Sequence, residues 1–193
     1  MKNILGETRF YFAQCVFNNI CHYAAYDRYE KERRIKHYIA LGISAVSIII
    51  LCLTLFAWET ESKKLLSTLS ILGIFTTAAS MIFELYNKED LTEFMCYHKQ
   101  TAEDYKRLRD MFMDIIRQIK SGVDISLVEP KLQQCLHDYS IIGKYSLSTN
   151  NKDYKTAQKK LGLNGQGETF TWSSEEIDRF LPIELRECSS CNK

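Results

Sequence analysis

The sequence predicts an all-α membrane protein: a transmembrane helical hairpin, long helices that continue into the cytoplasm, and a helical C-terminal extension. Tyr38–Trp58 has 21 residues without a charge and Leu65–Phe83 has 19, and about 20 apolar residues let a helix cross the bilayer hydrocarbon. Only Glu59–Lys64 separates these segments, so a tight hairpin must join them. Strand signals are few elsewhere in the chain.

A soluble protein with two very apolar core helices is the alternative interpretation. The composition permits it, because 25% of the residues are charged and the mean hydropathy is -0.23. A helix that packs on a soluble core keeps a polar face, whereas Ile39–Ala57 has none. A membrane helix also satisfies its backbone hydrogen bonds internally. The sequence therefore favours the membrane.

The distribution of basic residues predicts that both termini are cytoplasmic, because lysine and arginine are retained on that side of a membrane. Basic residues flank the spans on both sides, at Arg28, Lys31, Arg33, Arg34 and Lys36, then at Lys88, Lys99, Lys106, Arg107 and Arg109. The turn has only Lys63 and Lys64, which Glu59 and Glu61 offset. The scattered cysteines also fit reduced thiols in a cytoplasmic compartment.

The chain divides into four predicted segments. They are an N-terminal cytoplasmic amphipathic helix at 1–36, the hairpin at 37–86 with spans at about 38–58 and 65–84, a stalk helix at 87–122, and the helical extension at 123–193. Thr8–Lys36 contains neither proline nor glycine, so we expect it to run directly into the first span. Apolar residues at steps of four and three from Leu91 to Ile119 form a near-heptad seam. This seam predicts a stalk that continues the second span and stops at Ser121-Gly122.

Three further helices are expected in the extension. Ser126–Ile142 is the first, and it tolerates Pro130 only in its first turn. Tyr154–Leu161 is a short amphipathic helix that Gly162 ends. Ser173-x-x-Glu176 is a capping box that opens the last helix, Ser174–Leu181, before Pro182.

One face of the second span carries small and polar residues at steps of three and four: Ser70, Gly73, Thr77, Ser80 and Glu84. Such residues allow close helix approach in lipid. The stripe either packs within the hairpin against Gly42 and Ala45, or faces neighbouring subunits and lines a narrow aqueous path. The second interpretation requires oligomers, because two helices cannot enclose a pore. Glu84 is either an interfacial anchor or an acid at the pore mouth.

The two cytoplasmic helices carry related motifs, His22, Ala25 and Tyr29 before the hairpin and His98, Ala102, Tyr105 and Leu108 after it. A hairpin places its flanks antiparallel and adjacent, so these residues can face each other. We expect coiled-coil-like pairing of the helices, with a His/Tyr recognition site for a ligand as the alternative.

Signatures of catalysis are missing from the sequence, which has no glycine-rich phosphate loop, no Gly-x-Ser-x-Gly and no His-Glu-x-x-His. We therefore expect neither an enzyme nor a cofactor. Cys188-x-x-Cys191 lacks a second ligand pair at zinc-finger spacing. Cys135-x-His137 could complete a metal site after folding, but we interpret Cys188 and Cys191 as free thiols. The net charge of +1 gives no reason to expect direct nucleic-acid binding.

The pattern as a whole resembles the SLATT family of bacterial two-helix membrane effectors. The resemblance is carried by His22 to Tyr29 before a basic run, the closely coupled hairpin, and His98-x-x-x-Ala102-x-x-Tyr105-x-x-Leu108 after it. Asp153-Tyr-Lys-Thr-Ala157 and Phe180-Leu-Pro-Ile-Glu-Leu-Arg186 resemble the extended variants of the family.

The resemblance implies an antiphage or conflict-system effector that assembles in the bacterial inner membrane and permeabilises it, so that the infected cell dies. The implied partners are membrane lipid, further copies of the chain, and a sensor, nucleotide-second-messenger synthase or reverse transcriptase encoded nearby. Two alternatives stay open. One is a membrane anchor or scaffold that recruits a partner through the Leu91–Ile119 seam, and the other is a small channel or transporter subunit.

Overall fold

The computed structural model of the protein describes residues 4–86, 91–162 and 171–187. In these ranges the chain is helical without a strand, which confirms the predicted all-α class. The elements are α1 (Ile4–Glu59), α2 (Lys63–Tyr86), α3 (Leu91–Lys120), α4 (Ile125–Tyr145), α5 (Asn151–Lys160), α6 (Ser174–Asp178) and a 3-10 turn (Ile183–Leu185).

The chain forms two compact units. The hairpin unit is Tyr29–Phe94, and the terminal unit combines Met1–Arg28 with Met95–Lys193. The boundaries between the units therefore fall within the sequence-predicted segments 1–36 and 87–122.

The first helix runs without a break from Ile4 to Glu59, as the absence of proline and glycine from Thr8–Lys36 predicted. The predicted continuation of the second span into the stalk falls on residues 87–90, which lie outside the described residues. The stalk helix itself ends at Lys120, and Gly122 takes a left-handed φ of 81° just beyond it. A glycine adopts that conformation without steric cost, so the predicted stop at Ser121-Gly122 is confirmed.

The connection between the spans is shorter than the six residues predicted, because both helices extend into it. Only Thr60–Ser62 separates α1 from α2. The amide of Ser62 donates to the carbonyl of Ala57 at 3.2 Å, and the amide of Glu61 donates to that of Trp58 at 3.1 Å. Glu61 has a φ of 53°, and this left-handed residue reverses the chain within three positions.

The core of the terminal unit draws on α1, α3, α4 and the C-terminal elements. Its buried members include Phe12 and Cys15 from α1, Leu108, Phe112 and Ile116 from α3, Leu132 and Cys135 from α4, and Ile177, Leu181 and Leu185 from the C-terminal segment. The segment 171–187 is therefore packed against the helices by apolar side chains, as expected for an extension without a separate core.

Several details of the extension differ from the sequence prediction. α5 begins at Asn151, three residues before the predicted Tyr154. α4 begins at Ile125, so Pro130 lies in its second turn rather than its first. α6 ends at Asp178, three residues before Leu181. The Ser173 hydroxyl caps α6 by accepting from the Glu176 amide at 3.3 Å, but the Glu176 carboxylate accepts from the Thr171 amide at 2.9 Å. The Glu176 carboxylate thus binds Thr171, whereas in a full capping box it would accept from the Ser173 amide.

Candidate functional site

The hairpin unit exposes a continuous apolar surface of the kind that contacts lipid. α1 and α2 each contain a window apolar and long enough to span a bilayer, of which 0% and 6% is buried in the structure. Ile48, Leu51, Phe56, Ile74 and Phe75 are all more than half exposed. Soluble proteins rarely expose so continuous an apolar surface, so these helices are suited to lipid contact.

The sequence analysis did not identify the face of the first span that packs against the second. Between Gly42 and Glu59, the less exposed residues of α1 lie at steps of four and three: Ile43, Ser47, Ile50, Thr54 and Ala57. Gly42 and Ala45, the predicted partners of the second span, are exposed, and nothing lies within 4 Å of a Cβ placed at Gly42. The packing prediction for Gly42 and Ala45 was therefore wrong. The seven-residue spacing of Ser47 and Thr54 was the signal that could have found the true face.

The predicted stripe on the second span divides between two faces. Gly73 and Ser80 are half-buried, whereas Ser70, Thr77 and Glu84 are exposed. A Cβ at Gly73 would lie 3.7 Å from Cγ2 of Ile50, which places this glycine against the first span. The exposed residues are spaced by seven and form a line beside the packed face, which we call the polar line.

Four hydroxyl groups in the spans donate to the backbone of their own helix. The Thr77 and Thr76 hydroxyls both donate to the Gly73 carbonyl, at 2.8 Å and 3.0 Å. The Ser47 and Thr54 hydroxyls donate to Ile43 and Ile50 at 3.0 Å and 2.8 Å. Each hydroxyl can thus lie in hydrocarbon at low cost, while its oxygen still has acceptor capacity.

An open groove runs along the hairpin between α1 and α2, with a volume of about 700 Å³. Its polar lining comes from both spans: Ser47 and Thr54, then Ser70, Gly73, Thr76 and Thr77. Apolar side chains such as Leu51 and Ile74 complete it. Ser70 and Thr77 of the polar line therefore border a concave surface that carries hydroxyl groups from two helices.

The terminal unit brings together the cytoplasmic motifs predicted from sequence. His22 and His98 are buried, and their Nδ1 atoms lie 3.0 Å apart. One turn away, Nδ2 of Asn19 donates to the carbonyl of Ala102 at 2.7 Å. The imidazole of His22 also stacks on the ring of Tyr105, with centroids 5.7 Å apart. These contacts join α1 to α3.

The remaining motif residues have separate environments. Ala25, Ala102 and Leu108 are fully buried, and small residues at the first two positions permit close helix approach. Tyr29 lies in the hairpin unit, where its ring stacks on Phe94 at 5.6 Å. Sequence reasoning missed Asn19, whose buried amide is one helical turn from His22 and was detectable by that spacing.

Burial controls the acid–base properties of the histidine pair. It lowers the pKa of His22 from 6.5 to about 4, with the neighbouring His98 acting in the same direction. Burial likewise lowers the pKa of His98. Asp153 opposes both shifts, but its carboxylate is already bound by Arg28 Nε and Nη2 at 3.0 Å and 3.1 Å. Both imidazoles are therefore neutral at neutral pH.

No metal centre is formed by the residues that the structure describes, since no three of their His, Cys, Asp or Glu side chains converge. Cys135 lies in the core while His137 is exposed on the same helix, because residues two apart on a helix face different directions. Cys135-x-His137 therefore supplies no joint site. Cys188 and Cys191 lie outside the described residues.

Comparison with known proteins agrees with the helical hairpin and its cytoplasmic motifs. No curated protein and no solved structure matches the chain significantly. The model of one family, SMODS and SLOG-associating 2TM effector domain family 4, matches residues 4–176. This is a helical membrane-type domain and not a known enzyme family. Because the match covers most of the sequence, the chain belongs to this SLATT family of membrane effectors in conflict systems.

Proposed function

We propose that this membrane effector oligomerises in the bacterial inner membrane and permeabilises it when a partner delivers the trigger. The observation that carries the proposal is the polar line of Ser70, Thr77 and Glu84 on an otherwise apolar surface. The carboxylate of Glu84 is the member of this line that is costly against lipid. Packing of several hairpins around the polar line would remove that cost and would bring the hydroxyls together.

The groove gives the oligomer a source of polar lining. Its hydroxyls come from both spans, and their backbone bonds leave the oxygens able to accept hydrogen bonds from water. Rearrangement of neighbouring hairpins about this surface provides a wet path. Glu84, exposed near the end of α2, would then attract cations to one mouth of the path.

The trigger in this proposal is delivered to the terminal unit in the cytoplasm. Basic residues flank both spans, and only two occupy their connection, which supports a multi-pass topology with both termini inside. The partner is a sensor, a nucleotide-second-messenger synthase or a reverse transcriptase. Direct binding of nucleic acid is not part of the proposal.

The proposed scaffold role of the α3 seam receives little support from the fold. Met95, Ala102, Leu108, Phe112 and Ile115 of the seam are buried inside the protein's own structure. A partner helix could occupy this face only by displacing that packing. A scaffold would therefore have to recruit its partner through another surface.

The test is membrane potential and dye entry in bacteria that express the chain with its genomic neighbours. We expect Ser70→Leu/Thr77→Leu to insert normally but to abolish depolarisation, because leucine removes both hydroxyls from the groove. These positions are preferable to Gly73, where a side chain would also press on Ile50.

Thr77→Leu and Ala79→Leu form a matched pair of single variants for the same assay. Ala79 is also exposed, but lies two residues, or about 200°, around the helix from Thr77. Killing by Ala79→Leu but not by Thr77→Leu supports the role of the polar line. Equal killing by the parent, the double variant and both single variants would contradict it. Steady conductance without a trigger, harmless to the cell, would instead indicate a channel or transporter subunit.

A further inference from the structure

The buried histidine pair of the terminal unit has a property that pore formation does not explain. The His22 and His98 Nδ1 atoms are 3.0 Å apart, so one must donate the proton that the other accepts. A proton on both Nδ1 atoms would put two donors face to face. The contact therefore exists only while at least one Nδ1 is unprotonated.

Among the described residues, charged and titratable groups from three helices surround the pair. From α5, Asp153 is 2% exposed and accepts from Arg28 and from the Asn150 amide at 3.0 Å. From α3, the pair meets the neutral ring of Tyr105, whose pKa is raised by burial. From α1, Arg28 acts against protonation of His98. The carboxylate of Asp153, which favours protonation of both imidazoles, is thus already paired with a guanidinium.

The same contact holds two elements together. It is one of a short series between α1 and α3, which also includes the buried Asn19–Ala102 bond and a hydrogen bond from the exposed Tyr23 hydroxyl to Glu103. Protonation of both imidazoles breaks their contact and would leave two buried cations between these helices, which is costly. Separation of α1 from α3 is the response that lets water reach both rings.

We propose that His22 and His98 form a proton-operated latch, which keeps α1 on α3 at neutral pH and releases it when the cytoplasm acidifies. The opened state binds more protons than the closed state between pH 4 and the ordinary histidine pKa of 6.5. The latch is therefore fully closed above that window and weakens as the pH falls through it. Since α1 also contains the first span, release of the latch could act on the membrane. That consequence rests on the proposed function.

The latch can be tested in the full-length protein in lipid nanodiscs by hydrogen–deuterium exchange, corrected for the intrinsic effect of pH. Between about pH 7.5 and about pH 5, we expect amide protection around Asn19 and Ala102 to fall tenfold or more. His22→Asn/His98→Asn should lose this pH dependence, because an asparagine amide can replace Nδ1 in a hydrogen bond but does not titrate.

His137→Asn is the matched control, because His137 is exposed on α4. It should behave as the parent does. Equal acid sensitivity in the double variant, or constant protection in the parent, would overturn the latch. The parent's histidine NMR titration decides the matter without any variant: the pKa of His22 must lie well below the ordinary histidine value of 6.5 and that of His98 must also be lowered. An ordinary pKa for both histidines would refute the proposal.

Dye-loaded phosphatidylethanolamine–phosphatidylglycerol vesicles separate the latch from the pore. Acid-induced leakage by the parent, but not by His22→Asn/His98→Asn, supports both proposals. Sealed vesicles together with acid-induced exchange support the latch and overturn its direct control of a pore. Leakage that is the same with and without the histidines supports a pore and overturns the latch as its control.

Discussion

Arg9 shows how much of the fold depends on a single buried charge. Its side chain is 2% exposed and pairs with Asp178 at 2.5 Å and with Glu187. Nη2 also donates to the Ser174 carbonyl at 3.4 Å, whereas Nε has no hydrogen-bond partner among the residues that the structure describes. A buried guanidinium needs compensation, so these contacts fix the C-terminal segment on the first turns of α1.

The two acidic partners of Arg9 should differ in their contribution to stability. We expect Asp178→Asn to lower the free energy of unfolding by about 2–3 kcal/mol, because it leaves a buried charge with too little compensation. Glu187 is 47% exposed, so Glu187→Gln should cost less than about 1 kcal/mol. Denaturant unfolding in detergent micelles measures both values. Equal losses would show that the buried pair does not anchor the segment.

At the scale of elements, α5 is positioned by a carboxylate with two roles. Asp153 closes the capping box with Asn150 at the start of the helix, and it also binds Arg28 of α1. Sequence periodicity predicted the helix but gave no indication of this partner, because Arg28 is 125 residues away. The DYKTA sequence that carried the family resemblance therefore contains a residue that joins α5 to α1.

Removal of that carboxylate should loosen α5 more than removal of a surface charge. We expect Asp153→Ala to cost about 2–4 kcal/mol, from the lost cap and the uncompensated Arg28. Asp27→Ala is the control. Asp27 pairs with Lys160 at 3.4 Å, but both are about half exposed, so its loss should cost at most about 1 kcal/mol. Thermal unfolding of the two variants provides the comparison, and similar shifts would contradict the role of Asp153.

At the scale of the whole molecule, the cysteines offer a test of the proposed topology. Cys15, Cys21 and Cys135 are buried, whereas Cys96 is exposed on α3. Burial raises the pKa of the Cys15 and Cys21 thiols, which makes them slow to react because the thiolate is the nucleophile. Single-cysteine variants that keep only Cys96, or only an introduced cysteine in the turn, therefore report on opposite sides of the membrane.

In intact spheroplasts, a membrane-impermeant maleimide should label Glu61→Cys but not Cys96. Lysis should make Cys96 accessible, because we expect the terminal unit to be cytoplasmic. Denatured protein of each variant provides the control for complete reactivity. Labelling of Cys96 before lysis, with protection of Glu61→Cys, would indicate the opposite orientation.

The sequence by itself determined the helical class, the two spans and the family, because these depend on local features. Unbroken apolar runs, heptad steps and capping residues act within one helix or one turn, and the pattern shows them directly. The unbroken course of α1 into the first span follows from such features, although the helix extends beyond the predicted Thr8 and Trp58 to Ile4 and Glu59.

Only the tertiary structure decided which face of each helix is covered. It divided the polar stripe between the half-buried Gly73 and Ser80 and the exposed Ser70, Thr77 and Glu84. It also paired Arg9 with Asp178, and it showed that His22 and His98, whose motifs were expected to face each other, make contact through their Nδ1 atoms. Residues one helical turn apart in sequence lie on the same face of a helix or on adjacent faces. The position of the partner helix decides which of these faces is covered. Contacts between distant residues depend on three-dimensional packing, and a periodic pattern contains no information about that register.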